Sequence, residues 1–446
     1  MAQQIVILGG GFGGIATARG LERHLKPGEA DVTLVSRENF TLFTPMLPEV
    51  GSGNLETRHV VTPVRAQLHR TRFVLGDVLR IDDAARRITV EHPILMTTKE
   101  FGYDHLVLAL GAINSTFHLP GVEEHTLPLK TLADADRLRN HLTGMLELAD
   151  VSHDAEERRA LLTFVFVGGG FTGVEAAGEV VDFFKSVRKF YTTISREEIR
   201  VILVEGGKKL LPELQAGMGE YSAKALARRH VDVRLNEMVA GADERGLLLK
   251  RGERIDARTI VWSAGVRVSP AVAALPFATG RGGSVPTQPD MSVAGKTGVW
   301  ALGDCAMVPH PDGGTYGGTA QNAIREGPAL ARNIVASLRG EPTKPFVYHV
   351  IGMMASLGGR RGVAGLFGKY LITGFIAWFM WRTYYLVRLP GLDRQLRVAF
   401  DWTLGLLFPR DIAELRTDVY AVRHDLAGNE EGPDRERDGQ KAGAPN

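Results

Sequence analysis

The chain of 446 residues contains a single cysteine, Cys305. An internal disulfide is therefore excluded, as is a CxxC redox or metal pair, and a reducing compartment is expected. The 13 histidines are scattered without an HExxH or HxxxH pair, so no structural metal is expected. Charge of one sign is also lacking. The formal net charge is only +2, and nothing in that total calls for nucleic acid. Long apolar runs are scarce. The most apolar stretch, Tyr370–Val387 (YLITGFIAWFMWRTYYLV), is interrupted by Arg382. A bilayer span needs about 20 mainly apolar residues, so this segment reads as a helix lying on a membrane surface. The N-terminus, MAQQIVILGGGFGG, enters a buried-strand pattern within five residues, and no signal peptide is expected.

What is abundant is glycine, with 52 residues gathered in short runs. Two of these runs match. Gln4–Gly14 (QIVILGGGFGG) and Thr163–Gly173 (TFVFVGGGFTG) are each a continuous apolar run, a glycine turn and a helix-forming stretch. Each leads to a second apolar run, Asp31–Ser36 and Arg200–Glu205. This is the βαβ pattern of a buried parallel sheet, and it occurs twice. Further strands are expected at Leu106–Leu110, Thr259–Val261 and Val299–Ala301. The fold class is α/β, with two Rossmann-type dinucleotide-binding domains, one inserted in the other, plus a C-terminal helical membrane-surface region. The expected divisions are 1–115 with 289–340, then 116–288, then 341–426. A polar, Gly/Pro-rich tail at 427–446 is expected to be disordered.

Gly9, Gly11 and Gly14 fit GxGxxG directly after a strand. The first allows the tight turn, the second lets a pyrophosphate approach the backbone, and the third lets helix and strand pack closely. The helix N-terminus then offers free N–H groups to phosphate. The ribose-binding acid expected at the tip of the second strand is replaced by Ser36, with Glu38 two residues on, and the pattern does not choose between them. Gly168, Gly170 and Gly173 repeat the motif. There Glu205 occupies the acid's place, which favours NAD over NADP; the alternative is a solvated strand-end carboxylate. Glu175 falls just after the last glycine, in what reads as the helix's first turn. It either faces the meeting point of two cofactors or is an acid favoured there by the helix dipole. Val299–Ala306 (VWALGDCA) ends a buried strand in Gly303–Asp304, where the glycine admits close backbone approach and the aspartate can bind a sugar-like hydroxyl; an N-cap is the other reading. Cys305 reads as a small core residue.

These motifs, together with WSAGV at Trp262–Val266, resemble the FAD-dependent pyridine nucleotide oxidoreductases. Three more segments resemble type II NADH dehydrogenases, the single-chain NADH:quinone oxidoreductases: ENFTLFTPMLPEVGSG (Glu38–Gly53), TAQNAIREG (Thr319–Gly327) and the stretch Gly374–Ile412. The resemblance covers about residues 1–420. It implies FAD held by Gly9, Gly11, Gly14 and Asp304, with Thr44 and Pro45 near the flavin. It implies NADH at Gly168, Gly170, Gly173 and Glu205, with Glu175 orienting the nicotinamide. Ala320 and Gln321 would line the contact with a membrane quinone. The family's AQxAxQ motif departs here, Arg325 standing where the second glutamine is expected.

Between Arg360 and Arg410 basic residues outnumber acids and alternate with aromatics, as suits an anionic lipid surface. A buried hairpin or a homodimer interface is the alternative. Pro390–Gly391 should divide the stretch into two helices. The implied function is two-electron transfer from NADH to quinone without proton pumping, at the cytoplasmic face of the cell membrane. Two alternatives remain open: a flavin reductase for a soluble acceptor, and a slow-turnover redox sensor.

Overall fold

A computed structural model describes residues 2–415. The tail expected to be disordered lies outside the described residues. Two five-stranded parallel sheets form the body. The first has the order Val299–Ala301, His105–Leu108, Gln3–Leu8, Ala30–Ser36, Arg72–Leu75. The second has the order Leu127–Pro128, Thr259–Trp262, Thr163–Val167, Arg200–Glu205, Val231–Leu235. The central strands are continuous apolar runs because both faces are covered. Ile5, Ile7, Phe164 and Phe166 are all fully buried.

Each glycine turn feeds a helix, Phe12–His24 in the first unit and Phe171–Val187 in the second. The first of these packs on a helix from late in the chain, Ala320–Leu338. That approach is close. A Cβ on Gly20 would lie 2.6 Å from Ala331 Cβ, and one on Gly327 would lie 2.6 Å from Ala16 Cβ. The late helix is thereby locked beside the first glycine loop, with its own N-terminus at Ala320 turned to the same cavity.

The strand expected at Leu106–Leu110 is His105–Leu108. It stops early because the chain must turn at Ala109–Gly111. Gly9 sits against that turn, where any Cβ would fall 2.1 Å from Ala109 O. The units are joined by an antiparallel pair, Ala112–Asn114 with Val266–Val268. Val285–Pro286 already pairs with Ala306–Met307 of the first unit.

A three-stranded sheet, Gly352–Ser356, Gly362–Leu366 and Tyr370–Thr373, leads to two helices, Gly374–Arg388 and Leu392–Leu407. They part at Pro390–Gly391 as expected. Among the described residues no helix is long and apolar enough to cross a membrane.

The tryptophans of this hairpin do not face outward, as its aromatic-basic pattern had suggested. Trp378, Trp381 and Trp402 are all buried. Their indoles have a buried use: Trp402 Nε1 donates to Glu49 at 2.8 Å, and Trp381 Nε1 donates to Glu175 at 2.9 Å. Arg382 is sandwiched between the rings of Trp378 and Trp402, 4.4 Å from each centroid, and reaches Glu49 at 3.4 Å. Arg410 pairs with buried Glu179 at 2.7 Å. These two arginines thus neutralise interior carboxylates instead of facing lipid. The outward surface is apolar: Phe375, Ile376, Phe379, Val387, Leu392, Leu396, Phe400 and Leu407 are each more than half exposed.

Candidate active site

The two glycine loops are geometric copies. Gly9 and Gly168 take φ of 115° and 112°, a region that favours glycine. A Cβ on Gly14 would lie 1.9 Å from Gly9 O, and one on Gly173 would lie 1.9 Å from Gly168 O. Gly11 and Gly170 differ from these in a telling way. Their φ values, −77° and −75°, suit any residue, and a Cβ on either would meet no protein atom within 4 Å. Neither backbone nor packing requires glycine there. What the missing side chains leave is open space above a helix N-terminus, where a pyrophosphate fits.

The strand-end residues correspond as well. A Cβ on Gly10 would approach Ser36 Oγ to 2.7 Å, and one on Gly169 would approach Glu205 Oε2 to 2.9 Å. Ser36 is therefore the structural counterpart of Glu205, while Glu38 also lines the first cavity. The Glu205 carboxylate is held by the N–H groups of Gly169 and Gly207, both at 2.5 Å. It is a positioned acid and not a freely solvated one.

A cavity of about 980 Å³ runs past Gly11, Ser36, Thr44, Gly303, Asp304 and Ala320. Its size and its loop suit FAD. Two of its fixtures were missed in the sequence. Lys130 lines the cavity with Nζ 3.9 Å from Asp304 Oδ2. Glu326, buried, accepts the Gly303 N–H at 2.7 Å and so fixes the Gly303–Asp304 turn. Burial pushes its carboxyl up to about 7, against the opposing pull of that bond. Asp304 belongs to a short 3₁₀ turn and not to a helix cap. Cys305 is fully buried, its thiol pushed up to about 12 chiefly by burial, and is a core residue.

A second cavity, of about 260 Å³, adjoins the first and shares Phe12, Thr44, Lys130 and Ala320 with it. Pro45, Glu175, Gln321, Arg325, Tyr384, Tyr385 and Arg388 complete its walls. The structure thus brings Glu175 and Gln321 into one cavity. Glu175 is also not in the helix's first turn. The helix begins at Phe171, so Glu175 is its fifth residue and is buried away from the dipole's end. The Ser356 N–H and the Trp381 indole both donate to its Oε1, each at 2.9 Å. Burial pushes its carboxyl up to about 8; the two bonds oppose this, and the charges of Glu49 and Glu179 add to it. Gln321 Nε2 donates to Tyr348 Oη at 2.7 Å, and the Arg325 guanidinium lies 4.3 Å from the centre of the Tyr348 ring.

Two dinucleotide loops, a closing Gly–Asp turn and a small cavity beside the larger one define a flavin- and pyridine nucleotide-dependent oxidoreductase. Residues 3–327 match the family described as pyridine nucleotide-disulphide oxidoreductase, and residues 351–411 match the NDH2 C-terminal domain. A type II NADH:quinone oxidoreductase of Mycobacterium tuberculosis is 33% identical over 422 residues, 91% of this chain and 87% of that protein. An external alternative NADH-ubiquinone oxidoreductase of Yarrowia lipolytica mitochondria is 30% identical, covering 92% and 80%. The structure of NDH2 from Plasmodium falciparum in complex with NADH superposes with a TM-score of 0.84, at 20% identity, over 93% of this chain and all of that one. The sulfide:quinone oxidoreductase of Aquifex aeolicus has the same fold more distantly, with a TM-score of 0.68, 18% identity and coverage of 92% and 96%. The chain belongs to the type II NADH:quinone oxidoreductase family. Its cofactors are FAD and NAD(H).

Proposed function

We propose that the protein oxidises NADH on the second unit and passes two electrons, through FAD bound on the first, to a quinone drawn from a membrane, without pumping protons. The observation that carries this reading is the position of the smaller cavity. Its floor is built from residues shared with the FAD cavity, Phe12, Thr44 and Ala320, and its rim from Tyr384, Tyr385 and Arg388 of a helix whose outer face is apolar. An acceptor that lives in lipid would enter there.

Bound FAD supplies the two-electron chemistry; the chain supplies place and charge. Gly11 and Gly170 leave the phosphates room at the two helix N-termini. Asp304, held by the Glu326–Gly303 bond, serves the sugar-like chain of FAD, while Ser36 serves its ribose. Glu205 accepts from a ribose 2′-hydroxyl and repels a 2′-phosphate. Glu205→Gln keeps an acceptor for only one of the two loop N–H groups, those of Gly169 and Gly207, and loses the charge. Since a charge-assisted hydrogen bond contributes about 1.5–3 kcal/mol, the preference for NADH over NADPH should fall by about ten- to a hundredfold in kcat/KM. An unchanged ratio would remove Glu205 from coenzyme selection. Glu175, with its Oε1 occupied by two donors, carries its proton on Oε2 at neutral pH, in the cavity that Gln321 also lines.

The lipid contact is the outer face of the C-terminal helices, with anionic headgroups attracted by exposed Arg360, Arg361, Lys369, Arg388 and Arg397. The protein then sits peripherally, at the cytoplasmic face. Burying one Phe or Leu contributes about 1.5–3 kcal/mol, so Phe379→Asp with Leu396→Asp should lower partition onto anionic vesicles by more than about tenfold. Turnover with a water-soluble quinone analogue should be kept. Co-sedimentation equal to wild type would count against this face, as would a homodimer that buries it.

A further inference from the structure

Outside both cavities, two histidines and an aspartate meet on the first unit. His310 and Asp312 belong to a tight hairpin in which Pro309 bridges Thr315 and the His310 N–H donates to Gly314 O at 3.0 Å. His349 lies on the extended segment that follows the helix Ala320–Leu338. One ligand atom from each residue lies within 4.8 Å of the other two. His310 Nδ1 stands 3.7 Å from Asp312 Oδ2, and the two imidazole rings are 6.4 Å apart and nearly perpendicular, at 77°. With bonds of about 2.0–2.2 Å, neighbouring ligand atoms of a tetrahedral ion lie about 3.3 Å apart. The set therefore closes around an ion by movements of about 1 Å. The Asp312 side chain is 75% exposed, so its adjustment meets little resistance.

The donor set selects the ion. Two imidazoles and one carboxylate suit Zn²⁺, Co²⁺, Ni²⁺ or Cu²⁺, whereas Mg²⁺ and Ca²⁺ take oxygen sets. Three protein ligands leave a fourth position for water. The His310 ring is held in place by packing on Tyr316 at 4.6 Å; its Nδ1 accepts the Asp312 N–H at 3.1 Å, a bond that an ion at that nitrogen displaces.

The same contacts lead to the acceptor cavity. Tyr316 Oη accepts the N–H of Tyr348 at 2.9 Å. Tyr348 adjoins His349 in the chain, carries the Gln321 hydrogen bond and lies beneath Arg325. We propose that His310, Asp312 and His349 form a surface site for a borderline divalent transition ion, and that the bound ion stiffens the Tyr348 support behind Gln321 and Arg325. The stiffening, though not the site, rests on the quinone reading above.

The test uses flavin-loaded protein stripped with a chelator and titrated with zinc by calorimetry. One saturable zinc per chain is expected. His310→Ala and His349→Ala should each weaken it at least tenfold, and His153→Ala, on a distant loop, should not. Absence of saturable zinc binding in the wild type, or wild-type affinity in both variants, overturns the site. At zinc saturation the wild type should show an altered KM for a soluble quinone, and His349→Ala should not, while bleaching of the flavin by NADH keeps its rate. An unchanged quinone KM at full occupancy, or an equal slowing of flavin bleaching, overturns the stiffening. Should the zinc-free wild type reduce no quinone at all, the proposed function fails separately, and the calorimetry still decides the site.

Discussion

Gly11→Val should give a folded but colourless protein, and Gly170→Val a yellow one that NADH no longer bleaches at ordinary concentrations. Valine has no difficulty with φ near −77° or −75°, and its Cβ meets no protein atom at either place. Far-UV circular dichroism should therefore remain that of the wild type. Among the described residues nothing lies within 4 Å of either Cβ, so the added bulk points at a phosphate approaching the helix N-terminus, which would be pushed off its N–H donors. Each variant should lose at least about a hundredfold in affinity for its own dinucleotide, since several charge-assisted hydrogen bonds go together. Gly14→Val is the contrasting control. There the Cβ falls 1.9 Å from Gly9 O, so the loop itself must break and misfolding is expected with or without flavin. If Gly11→Val binds FAD as the wild type does, the first loop is not the pyrophosphate site.

The same glycines explain why this part of the molecule was legible in sequence. A turn with φ near +115°, a helix packed onto its own strand and a phosphate cradle are all dictated within a dozen residues. The strands follow from continuous apolar runs for the same local reason. The acceptor side is different. Lys130, Glu49, Tyr348 and Arg388 reach their places from distant elements, and no local spacing announces them. The tryptophans misled because an indole beside basic residues has two equally good physical uses, a lipid headgroup region or a buried carboxylate. Glu49 and Glu175 decided for the second. One interior signal does lie in the sequence. Glu175 and Glu179 stand four apart in FTGVEAAGEVVDFF, a helix with glycine and apolar residues on every side, and two carboxylates there had to be interior. Interior carboxylates need partners, and these find Trp381, Ser356 and Arg410 in the C-terminal region. The NDH2 C-terminal segment is thus tied to the nucleotide-binding body by buried polar bonds as well as by apolar packing.

Glu175→Gln should slow quinone reduction at least about tenfold and leave the reduction of the flavin by NADH unchanged, because glutamine keeps the side chain's place and loses only the proton on which the acceptor half-reaction draws. A quinone that accepts two electrons must also take up protons, and the Glu175 carboxyl stands in the wall of the cavity that Gln321 also lines, with its proton retained up to about pH 8. The glutamine Oε1 can accept the same two bonds from Ser356 and Trp381, so the wall keeps its shape while the transferable proton is gone. In the wild type the acceptor half-reaction should fall as pH rises through about 8, where Glu175 ionises, and the variant should lack that step. Stability supplies a second, independent reading. The folded carboxyl titrates near 8 and the unfolded one near 4.5, so below 4.5 both are neutral and nothing is lost. As pH climbs between these values only the unfolded chain ionises, and stability declines until both forms are charged. Glu175→Gln removes this contribution, so its advantage over the wild type in chemical denaturation should be greater at pH 8 than at pH 5. A pH-independent difference in stability, together with an unaltered pH profile for quinone reduction, would show that this carboxyl neither holds nor delivers the proton.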